Sequence, residues 1–388
     1  MSFLKSIKSN IRFDKNELSG SFGDIGTDLP LIIGMIMVSG IDSASTLIIY
    51  GILQIISGIY YGIPMAVQPL KAVATIVIAQ HLTGNIIYGG GLAIGIIMLV
   101  FTLTGVINKL KILIPKAVIR GVQLGLGLML ANIALKDYIV KDSHLFDYIL
   151  VAIAGTIGII LMGNRKYPPA IFIILIGVVY ALFFQIENPT TLFSQVEIEI
   201  PNFSIPKWND ITAGFLLLAL PQIPLSIGNS ILATEQITKD LFPEKNISVN
   251  KIGITYSLMN IFSAFFSGIP VCHGSGGMVG HHSFGARTGG SIVIYGIFFL
   301  VIGFFFSTNF DEIIRLFPIQ ILGVILFFEA LKLCFLIKDL QPKTSDLYIA
   351  LFVGLLACSV PYGFLISIVL GTILYYNSTK IKLLNSDF

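Results

Sequence analysis

The sequence predicts an all-α polytopic membrane protein with 14 transmembrane segments. These are arranged as two inverted seven-span repeats, with short extended segments leading into half-helices in spans 3 and 10. Three observations predict this. The 388 residues are 55% hydrophobic and only 12% charged, about half the ~25% charge of soluble domains. Apolar runs near the ~20 residues needed to cross a bilayer recur from end to end. Lysine and arginine gather in alternate connections, as cytoplasmic loops require.

Residues 1–16 form a polar, basic leader with Lys5, Lys8, Arg12 and Lys15. No short apolar core with a cleavage site follows it, so the first apolar segment is expected to be a retained span. Spans of the first half fit at about 18–38, 43–62, 65–80, 87–107, 113–135, 146–162 and 168–186. Residues 187–208 are a polar extracytoplasmic linker carrying Glu187, Glu197 and Glu199. The second series fits at about 209–233, 250–268, 272–286, 290–307, 311–336, 345–360 and 361–379. The first repeat therefore covers 1–186 and the second 209–388. With the N-terminus inside, the cytoplasmic connections receive Lys109, Lys111, Lys116, Arg165, Lys166, Lys239, Lys245, Lys251, Arg287, Lys338 and Lys343. The outer ones receive only Lys136, Lys141 and Lys207. Both termini are thus expected in the cytoplasm, with the cell membrane as the location. An odd number of spans per half inverts the second half relative to the first.

The stretches of most interest begin Gly62-Ile63-Pro64 and Gly268-Ile269-Pro270. Each sits in the third span of its half and is expected to run extended before opening a short helix. In the first, Gln68 is placed as N-cap and Pro69 at the first helical position. In the second, Ser275 is placed as cap, and Gly274, Gly276 and Gly277 let a ligand approach the backbone. Two half-helices starting at membrane depth mark a transporter binding site, and their free N–H groups and positive dipole ends suit an anion.

Several polar residues could serve such a site. Lys71, expected one turn into the half-helix, either binds the anion or pairs with Asp24 or Asp28 as a structural lock; a lysine near the bilayer centre costs about 2.5–3.5 kcal/mol on insertion scales. Asp24 and Asp28 stand four apart, with Gly23, Gly26 and Pro30 favouring a helix break. They read as a coupling site for a proton or sodium ion, or as a helix-end pair. Gln222, beside two prolines, stands out from Ser226 and Asn229 as a donor; the bland alternative for all three is interhelical glue. His273 is a candidate donor, whereas His281 and His282 read as an interfacial pair. Glu329 finds its simplest partner in Lys332, one turn on. No nucleophile–base pair can be placed, so no enzyme is expected. The dispersed Cys272, Cys334 and Cys358 suggest neither disulfides nor a metal, and no cofactor is implied. No basic stripe interleaved with aromatics points to nucleic acid.

The chain resembles the molybdate transporter family, a branch related to the SulP sulfate permeases. The matching stretches are Glu17 to Thr27, Pro64 to Lys71, Leu220 through Ser230, and Pro270 to Gly277 continuing to Phe284-Gly285-Ala286-Arg287. The resemblance implies a core domain (spans 1–4 and 8–11) and a gate domain (spans 5–7 and 12–14). It implies molybdate uptake without a STAS domain, the anion lying between the starts of spans 3 and 10. Asp28 follows Gly26-Thr27 where an apolar or aromatic residue is expected. On this reading Gln68, Lys71, Gln222, His273, Gly274, Ser275 and Gly276 bind substrate, and Asp24, Thr27 and Asp28 serve coupling or structural charge. The expected partners are the lipid bilayer, molybdate (or tungstate or sulfate), a proton or sodium ion, and a second copy in a homodimer. A sulfate permease and an anion channel are the alternatives.

Overall fold

A computed structural model of the chain describes residues 11–107, 115–140, 145–161, 169–181, 198–308, 318–340 and 344–377, with 109, 183 and 310. The expectations placed on Lys5, Lys8, Lys111, Lys141, Arg165, Lys166, Lys343, Glu187, Glu197 and the C-terminal tail lie outside the described residues, as does the side chain of Glu329.

The described chain is almost wholly helical. Helix α1 (Lys15–Ser21) is followed, after a break at residues 22–24, by α2 (Ile25–Ser39) and α3 (Ser43–Tyr61). Strand β1 (Val67–Pro69) leads into α4 (Lys71–Gln80). Then come α5 (Gly84–Leu103), α6 (Lys116–Ile133), α7 (Leu145–Ile160) and α8 (Pro169–Tyr180). The second half opens with α9 (Trp208–Leu241) and α10 (Val249–Phe265). Strand β2 (Val271–His273) leads into α11 (Ser275–Ser283). The remaining helices are α12 (Gly290–Phe305), α13 (Ile319–Phe335), α14 (Thr344–Ser359) and α15 (Gly363–Asn377). Among the described residues, five helices are long and apolar enough to cross a membrane: α3, α5, α6 with its continuation to Val140, α9, and α13 with its continuation to Leu340.

Local chemistry sets the boundaries. Asp42 caps α3 by accepting the Ser45 N–H at 2.7 Å, and Gly62 ends it in the left-handed region at φ 63°, where glycine carries no Cβ penalty. The break after α1 falls at Gly23, as the glycine spacing predicts. Helix α9 extends beyond the expected span and carries two π-helical stretches, Phe215–Ala219 and Ser226–Leu232. Pro221 and Pro224 lie between them; each lacks an N–H, and the ladder widens around them instead of breaking.

The helices pack mainly in pairs. Helix α3 lies along α12, α5 lies between α9 and α10, α6 packs against α13 and α14, and α14 against α15. Small residues bring α3 and α12 together: a Cβ added at Gly51 would sit 2.6 Å from the Gly296 carbonyl, and one at Gly296 equally close to that of Gly51. Close approach of this kind is how helices gain contact in lipid, where hydrophobic burial drives little association. The outward faces are apolar stripes at helical spacing, such as Ile96, Val100 and Leu103 on α5 and Ile366, Val369, Leu370 and Ile373 on α15, all exposed. Stripes of this extent suit hydrocarbon rather than water.

Candidate functional site

Two short strands near the middle of the chain's two halves meet in one antiparallel ladder. Val67 pairs with His273, Gln68 with Cys272 and Pro69 with Val271. The ladder is extended at both ends, by Leu70 N–H to the Pro270 carbonyl (3.0 Å) and Gly274 N–H to the Ala66 carbonyl (3.2 Å). The antiparallel ladder therefore holds the starts of α4 and α11 at its two opposite ends, each helix beginning beside the start of the other strand. Leu70 and Gly274 are the N-caps, and neither caps with a side chain. The assignment of Gln68 as cap and Pro69 as first helical residue is therefore corrected: both belong to β1, because ladder pairing holds them extended. Lys71 is the first residue of α4, not one turn in, and Ser275 is the first residue of α11 rather than its cap.

Each strand is clamped by the helix before it. On α3, Gln54 Oε1 accepts the Val67 N–H (3.0 Å) and Nε2 donates to the Val67 carbonyl (2.7 Å). On α10, Asn260 Oδ1 accepts the Val271 N–H (3.0 Å) and Nδ2 donates to the Val271 carbonyl (2.7 Å). One turn on, Ser57 donates to the Met65 carbonyl and Ser263 to the Ile269 carbonyl, at 2.7 and 2.6 Å. These clamps make Val67 the counterpart of Val271 and Lys71 the counterpart of Ser275. The Gly-Ile-Pro triplets give a different alignment, because four residues (Ile63 to Ala66) separate Gly62 from β1 and two (Ile269, Pro270) separate Gly268 from β2. The similarity of the triplets is real, but it is out of register with the strands by two residues.

Asn260→Ala is expected to leave both polar groups of Val271 buried without partners, at about 1–3 kcal/mol each. The purified variant should melt well below the parent. An unchanged melting temperature would show that the clamp contributes nothing.

Alternation along the ladder sorts the side chains by face. Gln68 and Cys272 share one face. Gln68 Nε2 donates to Asp24 Oδ2, and its side chain lies against Gly274, where any Cβ would overlap it. The Cys272 thiol is hydrogen-bonded to Ser230 and lies within electrostatic range of Lys71, Asp28 and Asp24. His273 faces the other way. Its Nε2 meets Thr255 Oγ1 at 2.8 Å, and its ring packs edge-on against Tyr61. The ladder thus brings Cys272, not His273, beside Gln68.

Asp24 is the N-cap of α2 but makes no capping bond. Asp28, on the next turn, is fully buried; its Oδ2 accepts the hydroxyls of Tyr50 (2.6 Å) and Tyr295 (3.2 Å). Its direct partners are therefore tyrosines, and Lys71 acts on it only through space. Thr27 is half-buried, with its N–H on the Asp24 carbonyl at 2.9 Å. In the second half, Gln222 Nε2 donates to Ser226 Oγ (3.1 Å), which meets the Tyr256 hydroxyl at 2.6 Å. Gln222 Oε1 is buried without a partner among the described residues. Tyr50 precedes Gln54 by four residues, as Tyr256 precedes Asn260. The two tyrosines thus hold corresponding helices, one through a carboxylate and one through a serine. Lys71 and Ser275 are half-buried and Gly276 is exposed, with nothing within 4 Å of a Cβ built on it. The first turn of α11 therefore opens on free space.

Sequence reading missed Cys272, Ser230 and the two tyrosines; the strand alternation was the one available signal for the first. The expectation of an interfacial His281–His282 pair is corrected. His281 is fully buried, its Nδ1 2.6 Å from the Gly20 carbonyl, because glycines at 20, 23 and 280 let α1 and α11 touch. A cavity of about 380 Å³ lies elsewhere, between Gln80, Met129, Pro221 and the α14–α15 connection at Ser359 and Tyr362. None of the predicted site residues lines it.

Comparisons with known proteins agree with this architecture. The family model described as "Molybdate transporter of MFS superfamily" matches residues 16–130 and 214–333. Molybdate transporter 2 of Arabidopsis thaliana is 33% identical over 410 residues, covering 92% of this chain and 87% of its own. Molybdate transporter 1 of Chlamydomonas reinhardtii is 24% identical, over 91% of this chain and 90% of its own. In fold, the chain resembles the transmembrane domain of the cyanobacterial bicarbonate transporter BicA (TM-score 0.67, 15% identity, 94% of this chain and 98% of that one). It also resembles the murine anion transporter Slc26a9 in its inward-facing state (TM-score 0.70, 12% identity, 97% of this chain and 70% of that one). The chain is a helical membrane protein and belongs to the molybdate transporter family.

Proposed function

We propose that the protein is a secondary active transporter that imports molybdate across the cell membrane by alternating access. The observation that carries this reading is the β1–β2 ladder, which ties the two strand-to-helix stretches together and holds the N-termini of α4 and α11 at its two ends, with Gln68 between them and Lys71 at the start of α4. A tetrahedral dianion must exchange a strong hydration shell for protein donors. Two helix ends supply about +0.5 charge each, and Lys71 adds a full one. Gln222, whose Nε2 donor rests on Ser226, and Ser275 stand on the second-half side, and Gly274 and Gly276 keep the backbone accessible.

On this reading the spans form two inverted seven-span repeats, residues 1–186 and 209–388 joined by the extracytoplasmic linker 187–208. A core domain (spans 1–4 and 8–11) carries the site past a gate domain (spans 5–7 and 12–14). The mutual packing of α3 with α12 and of α5 with α10, and separately of α6 with α13 and α14, supports that division. On this reading both termini lie in the cytoplasm, and Asp24 and Asp28 are the groups through which a proton or sodium gradient would couple.

The test is uptake of labelled molybdate into proteoliposomes, with proton and sodium gradients imposed separately and sulfate and tungstate as competitors. Saturable, gradient-driven uptake against a concentration difference is expected. Flux that does not saturate and only follows the molybdate gradient would mean a channel, and no flux at all would overturn the reading.

A further inference from the structure

We propose that Asp24 is a built-in stand-in for the substrate: in the empty site its carboxylate takes the Gln68 donor and the first turn of α11, and the oxyanion binds by displacing it. This rests on the anion-transport reading above.

Two contacts carry the inference. Asp24 leaves the backbone of its own helix uncapped and reaches across to β1, where Gln68 Nε2 donates to its Oδ2. The same oxygen rests on Gly277, the third residue of α11, so closely that any Cβ there would overlap it. One carboxylate oxygen thus engages both a side-chain donor from the first half and the opening turn of the helix from the second. Those are the groups an incoming anion would face. The attraction is the same in each case, since a carboxylate at a helix N-terminus is favoured by the dipole and exposed N–H groups that favour an oxyanion.

The neighbouring charged and titratable groups do not take this place. Asp28 on α2 has its own donors, Tyr50 on α3 and Tyr295 on α12. His281, one turn further along α11, is turned toward the Gly20 carbonyl. Cys272 on β2 engages Ser230, and Lys71 on α4 stands at the other helix end. An occupied site and an empty one then differ by an exchange of one anion for another. The start of α11 is then not left without a negative charge when substrate leaves. The exchange also weakens apparent affinity by the fraction of time that Asp24 occupies the place.

The experiment is calorimetric molybdate binding to the full-length protein in lipid nanodiscs. Asp24→Asn should bind about tenfold more tightly than the parent, because a neutral amide competes less for the helix end. A residue with a merely structural or substrate-positioning role would give weaker binding when replaced, and that result would overturn the inference. The parent protein supplies a second measurement that does not depend on the variant folding. Adding molybdate should change a carboxylate band in the infrared difference spectrum of the parent, and Asp24→Asn should lack that change. No carboxylate change in the parent, or the same change in Asp24→Asn, would also overturn the proposal. A parent protein that binds no molybdate, tungstate or sulfate would instead bring down the transport reading itself.

Discussion

Lys71→Ala is expected to lower molybdate uptake by about a hundredfold or more while leaving the protein folded in the membrane. The size follows from the charge around the site. Two helix ends together offset about one of the two negative charges on the oxyanion, and Asp24 and Asp28 lie close by on the unfavourable side. Lys71 is the one cation that the ladder places at a helix mouth, and its side chain remains half-exposed there. A hydrogen bond to a charged group contributes about 1.5–3 kcal/mol, and 1.4 kcal/mol is a factor of ten. Losing that contact alone therefore accounts for one to two decades, and the uncompensated charge adds to it. Stability should change little, because the hydrogen bonds that Tyr50 and Tyr295 donate to Asp28 Oδ2 do not involve the ammonium. Lys71→Arg should retain part of the uptake, since it keeps the charge but changes its shape. Uptake by proteoliposomes and the melting temperature, measured on one preparation, test both halves. Near-normal uptake in Lys71→Ala would remove the lysine from the site.

What the sequence revealed, and what it hid, follow from how far each signal reaches along the chain. The extended-then-helical character of residues 62–80 and 268–283 was legible because glycine and proline within an apolar run act locally. The cap positions were not, because Leu70 and Gly274 become caps only when β1 and β2 find each other across about 200 residues of chain. The break in the first span could be read from Gly23. That Asp24 would then turn away from its own helix to meet Gln68 could not. Asp28 looked like an anomaly in the sequence, and its two tyrosine partners explain how its carboxylate is tolerated; they come from α3 and α12, which no spacing rule connects to it. His281 was misread for the same reason. A histidine near a span's end is ordinarily interfacial, but here glycines at 20 and 23 on one side and at 280 on the other draw it inside. Local composition therefore located the two strand-to-helix stretches, and only the tertiary pairing could say which side chains share a face of the ladder.

Glu17→Ala should destabilise the protein more than any change at the site, and the reason lies at the far end of the same network. Glu17 is 2% exposed. Its Oε1 accepts the N–H groups of Arg287 (2.9 Å) and Thr288 (2.8 Å), and its Oε2 accepts that of Ser291 (3.0 Å). One buried carboxylate thus closes the start of α12 from α1, a cap supplied from across the fold instead of from its own helix. Helix α12 in turn packs along α3, which holds β1 through Gln54. Alanine would orphan two buried donors, those of Thr288 and Ser291, at about 1–3 kcal/mol each, with the part-buried one of Arg287, and remove a negative charge from a helix N-terminus that favours one. The variant is expected to accumulate poorly and to melt far below the parent. Glu17→Gln should fall between them, because the amide keeps one accepting oxygen but turns an NH₂ toward an N–H. That order in melting temperature separates charge from shape, and uptake per folded molecule should stay near normal for Glu17→Gln, since the side chain touches no part of the anion path. If Glu17→Ala melts like the parent, water must satisfy the start of α12, and the carboxylate would hold nothing together.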